Sequence, residues 1–176
     1  MKSIELRRHA ERAEDADALS PEGRIQAEDV GRTLPGVYAF VFVSPARRAA
    51  ETVAWFLRAS RQPLPPHAVV PGLASEVEDR WRAASKAAGS SRLDEVMGED
   101  PALVAEESTR QAAVVRELFD RIPPDAGALA VGHTPLIEAA VYGLMNVVIE
   151  PLGTCEGVLL TMDDAGDLRL EEMRLG

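Results

Sequence analysis

Two of the three histidines in this sequence stand where a short apolar run ends. His9 comes after the extended run 3–7 and Arg8, and His133 comes after the apolar run 128–131 and Gly132. An imidazole has an ordinary pKa of about 6.5, so at neutral pH it is largely uncharged and nucleophilic. A third apolar run, 40–43, is followed by Ser44-Pro45 and then by Arg47 and Arg48. A cation at a helix start meets the positive end of the helix dipole, which disfavours it by roughly a few tenths of a kcal/mol. A bound anion reverses that sign, because guanidinium groups, backbone N–H groups and the dipole then converge on it. Taken singly, either histidine is also consistent with a capping or hydrogen-bonded loop residue. Two strand-end histidines together with two strand-end arginine sites describe an electropositive pocket of the size of a phosphoryl group.

Other chemistries find less support. There is no Gly-x-x-x-x-Gly-Lys loop for nucleotide phosphates. A single cysteine excludes an internal disulfide and a multi-thiolate metal site, and no His-x-x-x-His pair suggests a zinc hydrolase. We therefore expect no metal and no cofactor. His67, between Pro66 and Ala68, is expected at the surface, and Cys155 as a packed or idle thiol.

The elements that must hold these residues can be read from cap signals and periodicity. After the opening strand, Ser20 is a helix N-cap with Pro21 in the first turn, and Ile25, Ala27, Val30 and Leu34 share one face until Pro35-Gly36 ends the helix. The uncharged β-branched and aromatic run 40–43 is a strand buried on both faces. Ser44-Pro45 then opens a helix through Leu57, and Val69-Val70 forms a brief strand. Segment 75–105 gives helical pieces separated by Gly89-Ser90-Ser91 and Gly98, followed by an amphipathic helix over 108–122. Strand 128–131 leads into helix 135–144, and strands 158–162 and 168–173 form a terminal hairpin about Asp163-Asp164-Ala165-Gly166-Asp167. Alternating strands and helices predict a three-layer α/β/α sandwich with a mainly parallel central sheet. Ligands bind such sheets at the carboxyl ends of the strands, which here means 7–11, 44–48 and 132–135.

The 176 residues suit a single domain, 1–176, since domains run to roughly 100–200 residues. A 46% hydrophobic and 27% charged composition is globular rather than disordered. The net charge of −10 argues against nucleic acid and anionic membrane as partners. No apolar run approaches the roughly 18 residues of a membrane helix, and the first residues show no signal-peptide pattern, so a cytoplasmic location is expected.

Leu6-Arg7-Arg8-His9-Ala10-Glu11 resembles the Arg-His-Gly signature of the histidine phosphatase superfamily, which includes the cofactor-dependent phosphoglycerate mutases. Residues 19–27, Leu-Ser-Pro-Glu-Gly-Arg-Ile-Gln-Ala, resemble the family's Leu-Thr-x-x-Gly-x-x-Gln-Ala helix. Residues 44–52, Ser-Pro-Ala-Arg-Arg-Ala-Ala-Glu-Thr, are similar to its Ser-Pro-x-x-Arg-Ala-x-x-Thr, and Gly132-His133 matches its second histidine. The four motifs occur in the family's order and leave only about 60–125 unmatched. The resemblance implies a phosphoglycerate mutase-like fold in which His9 takes the phosphoryl group as a phosphohistidine that water then hydrolyses. It further implies that Arg8, Arg48 and His133 bind the phosphate, with Arg47 on a variable position.

Many relatives place a glutamate general acid after a Leu-x-Glu motif. Here Leu73-Ala74-Ser75-Glu76-Val77-Glu78 departs from that spacing, making Glu76 the first candidate and Glu78 the second. An acidic helix start serves equally well as a favourable dipole interaction. Ala10 in place of Gly, and Thr134-Pro135 after the second histidine, lean toward the compact phosphohistidine phosphatases, some of which lack this acid. The expected activity is a metal-independent phosphatase acting on a small phosphorylated metabolite or a phosphohistidine protein. The alternatives are mutase-type phosphoryl transfer, which the short chain disfavours, and a non-catalytic phosphate-binding module, which would not need a nucleophile.

Overall fold

The computed structural model describes residues 1–34 and 37–176. In chain order the elements are β1 (Lys2–Arg8), α1 (Pro21–Gly31), β2 (Phe40–Val43), α2 (Arg47–Ser60), β3 (His67–Val69), α3 (Glu78–Ala88), α4 (Leu93–Glu99), α5 (Pro101–Arg121), β4 (Gly127–Gly132), α6 (Leu136–Met145), β5 (Gly157–Met162) and β6 (Leu168–Met173). One six-stranded sheet has the order β3-β2-β4-β1-β5-β6. The pairs β3–β2, β2–β4 and β4–β1 are parallel, whereas β5 and β6 add antiparallel to the outer side of β1.

Alternation along the strands divides the core into two layers. Ile4, Leu6, Phe42, Ala128 and Ala130 face α5 and α6, where Val115, Leu118, Phe119, Ile137 and Val141 pack on them. Val41, Val43, Leu129 and Val131 face α1 and α2, meeting Ala27, Val30, Ala49, Val53 and Phe56. This is the expected three-layer sandwich. Fully burying a side chain such as Phe42, Phe56 or Phe119 contributes roughly 1.5–3 kcal/mol, against about 0–1 for an exposed ion pair. The apolar layers, not the surface charges, therefore hold the sheet. Helices α3 and α4 form a third cluster, with Trp81, Ala84, Leu93 and Val96 packed on Leu103 and Val104 of α5 and Leu136 and Ala139 of α6.

Several local expectations change. Ile25 is 62% exposed, and α1 instead buries Gly23, Ala27, Val30 and Gly31. Gly31 is needed there: an added Cβ would lie 2.8 Å from both the Phe56 carbonyl and the Ala59 Cβ of α2. The helix ends at Gly31, so the expected stop at Pro35-Gly36 lies outside the described residues. Helix α2 begins at Arg47 with Ala46, not Ser44, at its N-cap, and the Ser44 hydroxyl, which accepts from Ala46 N at 3.4 Å, lies 2.7 Å from His133 Nε2. Gly98 lies inside α4, and the true break is Asp100-Pro101, where the Asp100 carboxylate accepts from Leu103 N at 2.9 Å and α5 begins. His67 sits on the edge strand β3 and is exposed, as expected. Glu5 and Arg7 are buried against the α1–α2 layer rather than solvated. Glu5 accepts from Arg7 Nε at 2.5 Å and from the Tyr38 hydroxyl at 2.6 Å, so this inward charge pair is fully partnered.

Candidate active site

The parallel order β2-β4-β1 brings three strand ends side by side, and each end carries a polar group. His9 N donates to the Gly132 carbonyl at 3.1 Å and Ser44 N donates to the Val131 carbonyl at 3.1 Å, so the ladders extend one residue into the site. Cys155 N donates to the His9 carbonyl at 3.3 Å, and Ala10 N to the Thr52 hydroxyl at 3.0 Å. The His9 backbone is thus fixed by β4, by the segment before β5 and by α2. Alternation sends Arg7 away from this end, where it donates to the Cys155 carbonyl at 2.7 Å. Arg7 is therefore no part of the cleft, although it follows the same strand.

His9 and His133 face each other with ring centroids 5.1 Å apart, and both are buried. His9 Nδ1 lies 2.7 Å from the Ala10 carbonyl, which can only accept. Nδ1 is therefore assigned the proton, leaving Nε2 with the lone pair that accepts from Arg48 Nε at 3.2 Å. A second nitrogen of the same guanidinium reaches His133 Nδ1 at 3.1 Å. His133 Nε2 lies 2.7 Å from the Ser44 hydroxyl, so its proton is assigned there. One arginine thus bridges both imidazoles, and each imidazole is held as a neutral tautomer with its lone pair toward that arginine. Arg47, next in the chain, is 71% exposed in its side chain and pairs with Glu51.

The expected anion at the start of α2 is supplied by the protein. Asp17 accepts from Arg47 N at 2.8 Å, from Arg48 N at 3.4 Å and from the Arg48 guanidinium at 2.7 Å. Partial burial acts to raise the Asp17 carboxyl, but these donors hold it below its ordinary value. No sequence signal singles out Asp17 within Glu14-Asp15-Ala16-Asp17.

Burial, with lesser contributions from Arg48 and Arg8, pushes His9 down to about 4. Burial, then His9 and Arg48, push His133 down to about 3. Both rings are accordingly neutral in the free protein at any pH above these values. We expect histidine ring signals in an NMR titration of the free protein to show no protonation of His9 or His133 down to about pH 5. A transition near 6.5 in either ring would contradict this desolvated site. The unfolded chain takes up these protons first, so the two histidines cost stability as pH falls below 6.5.

These groups line a cleft of about 400 Å³ together with Arg8, Glu11, Arg12, Ser75, Glu78, Trp81, Arg82, Thr134, Pro135, Leu136 and Thr154. Of the predicted site residues, His9, Arg8, Arg48 and His133 converge here. Glu76 does not: it is exposed, outside the lining, and its charge acts on Arg110. Glu78, in the first turn of α3, does line the cleft. Arg12, Arg82 and Glu11 were not singled out in the sequence. Among the described residues no cluster of three or more His, Cys, Asp or Glu side chains forms a set of metal ligands, and no helix is long and apolar enough to cross a membrane.

The family model of the histidine phosphatase superfamily (branch 1) matches residues 4–157. No curated protein matches the chain. Among solved structures, phosphoglycerate mutase from Bacillus anthracis superposes with a TM-score of 0.74 at 20% identity, covering 97% of this chain and 92% of that one. Phosphoserine phosphatase from Entamoeba histolytica, in complex with 3-phosphoglyceric acid, gives 0.70 at 16% identity, covering 100% and 98%. The protein histidine phosphatase SixA, complexed with tungstate, gives 0.59 at 21% identity, covering 98% and 96%. At such identities the structural likeness shows a shared fold.

Proposed function

Because the chain belongs to the histidine phosphatase superfamily, we propose that it hydrolyses a phosphomonoester or a protein phosphohistidine through a covalent phosphohistidine on His9. The observation that carries this reading is the Arg48 guanidinium shared between the lone-pair nitrogens of His9 and His133. A phosphoryl group entering between them would meet a nucleophile and a fork of N–H donors together.

His9 Nε2 would attack phosphorus in line, forming a P–N bond as the bond to the leaving oxygen or nitrogen breaks. Arg48, Arg8 and His133 would stabilise the charge spread over the non-bridging oxygens, where one well-aimed donor is worth roughly 100- to 1000-fold in rate. Water would then attack the phosphohistidine, releasing inorganic phosphate and restoring neutral His9. The Ala10 carbonyl on Nδ1 supports this cycle, because it fixes the ring and stabilises the charge that the imidazole gains on phosphorylation. The dense cation set supports a mechanism without a metal.

The leaving alkoxide needs a proton, and Glu78 is better placed than Glu76 to give it and to take a proton back from water. Glu11 also borders the cleft, but its carboxylate accepts from the Ser20 hydroxyl at 3.0 Å. We expect Glu78→Gln to lower phosphate release from a phosphomonoester by about 100-fold or more, and from a phosphoramidate much less, since a protonated imidazole leaves more readily. Glu76→Gln should stay within about twofold of the parent on both. Phosphate release measured with a chelator present throughout tests all of these. If Glu76→Gln gives the large selective loss, the acid has been misassigned. If release stops with chelation, a metal is required.

A further inference from the structure

Glu138 lies in the first turn of α6, 2% exposed, and it takes no part in the chemistry above. One of its oxygens, Oε1, accepts from Leu152 N at 2.9 Å. The carbonyl of the same residue accepts from Arg8 Nη1 at 2.7 Å. Leu152 is therefore a bridge, held at its N–H by a buried carboxylate and presenting its carbonyl to a guanidinium of the cleft. The segment around it is tied on every side. Glu156 accepts from Gly153 N at 2.7 Å, and Arg174 donates to the carbonyls of Pro151 at 2.9 Å and Glu150 at 2.7 Å.

Two further atoms belong to this arrangement. Arg8 Nε and Glu138 Oε2 are both buried, and neither has a hydrogen-bond partner among the described residues. Each residue also acts electrostatically on the other: the Glu138 charge favours the Arg8 cation, and the Arg8 charge favours the Glu138 carboxylate. Burying a carboxylate is costly, and burial pushes Glu138 up to about 7 despite these contacts. A position this buried would be satisfied more cheaply by an apolar residue. The position of Glu138 is thus explained by what it holds.

We propose that Glu138 is a positioning residue for Arg8, acting through the Leu152 peptide to aim the guanidinium into the cleft. This rests on the reading that Arg8 binds the phosphoryl oxygens. Without Glu138 the Leu152 N–H loses its acceptor, the carbonyl that orients Arg8 is free to turn, and the guanidinium loses its aim.

The test is a double-mutant cycle read by calorimetric affinity for inorganic phosphate and by turnover of para-nitrophenyl phosphate at one fixed pH. Glu138→Ala should weaken phosphate binding and raise KM by about tenfold with a smaller change in kcat, the loss expected when a buried donor is left unpaired. Glu138→Gln keeps an acceptor for Leu152 N and should stay within about threefold. Arg8→Ala should weaken binding strongly, and adding Glu138→Ala to it should cost nothing more, because the residue it positions is gone. Should Glu138→Ala not fold, Glu138→Asp replaces it with the same expectation, since it keeps the charge but withdraws the acceptor. Losses that add in the double variant, or a Glu138→Ala (or Glu138→Asp) variant that binds phosphate as the parent does, would overturn the positioning role. If Arg8→Ala alone binds phosphate like the parent, the assignment of Arg8 to the phosphate has failed instead.

Discussion

Replacing His9 with alanine should reduce phosphate release from any substrate by at least about 10⁴-fold, because the variant removes the atom proposed to form the covalent bond. In the parent, brief incubation with a phosphorylated substrate should leave a label that survives base and is lost in acid, as a phosphoramidate is. The variant should carry no such label. His9 contributes a ring held by the Ala10 carbonyl and Arg48, while the backbone at this position is fixed by Gly132 and Cys155. The fold should therefore survive, and circular dichroism checks that it does. Residual labelling at full intensity would mean that another side chain is the nucleophile. A parent that binds phosphate but neither labels nor turns over would make the chain a binding module. One that labels and then passes the group to a second substrate faster than to water would make it a mutase.

The second large effect is expected at Arg48. This guanidinium contacts His9, His133 and Asp17 at once, so no other cation in the cleft is as central. Arg48→Ala should lower kcat/KM by roughly 100- to 1000-fold, the usual loss when one aimed donor to developing charge is removed. Arg48→Lys should recover only a small part of this, because an ammonium is a point charge and cannot span two imidazoles and a carboxylate with a planar fork. Arg47→Ala, one residue away on the exposed side of α2, should remain within about twofold and serves as the control. Steady-state kinetics on one monoester measures all three. Equal losses at the two arginines would contradict the shared guanidinium as the centre of the site.

Much of this site is legible in the residues because strands, caps and helices are local signals. The Ser20 cap is an example: its hydroxyl accepts from Gly23 N at 2.9 Å, where the sequence puts it. The apolar runs that became β2 and β4 end at Ser44 and His133, and parallel pairing then requires that their ends lie together. Side-chain direction is harder to read. Ser44 has the look of a cap, yet its hydroxyl binds His133, a choice made by the neighbouring strand and not by the local sequence. Glu76 and Glu78 are indistinguishable without the exact start of α3, which depends on Trp81 packing against α5. Asp17 is hidden among other acids, and its partner comes from an element some thirty residues on. The Asp100-Pro101 pair is a different case. It carries a cap and first-turn signal that marks the start of α5, and a reading centred on the glycine at 98 passes over it.

The central strand has one further consequence, for assembly. Ser3 pairs with Gly127, and the other neighbour of β1 is added later still, with Lys2 opposite Met162. In chain order β1 therefore finds no partner until β4, and its other edge stays open until β5 follows some thirty residues later. Parallel pairing across so long a separation closes a large loop at high entropic cost, which makes for slow folding and leaves an unpaired edge open to other chains meanwhile. The cleft is assembled by the same pairing: a fragment ending before β4 carries His9 and Arg48 but no His133, so the two imidazoles face each other only once β4 has docked beside β1.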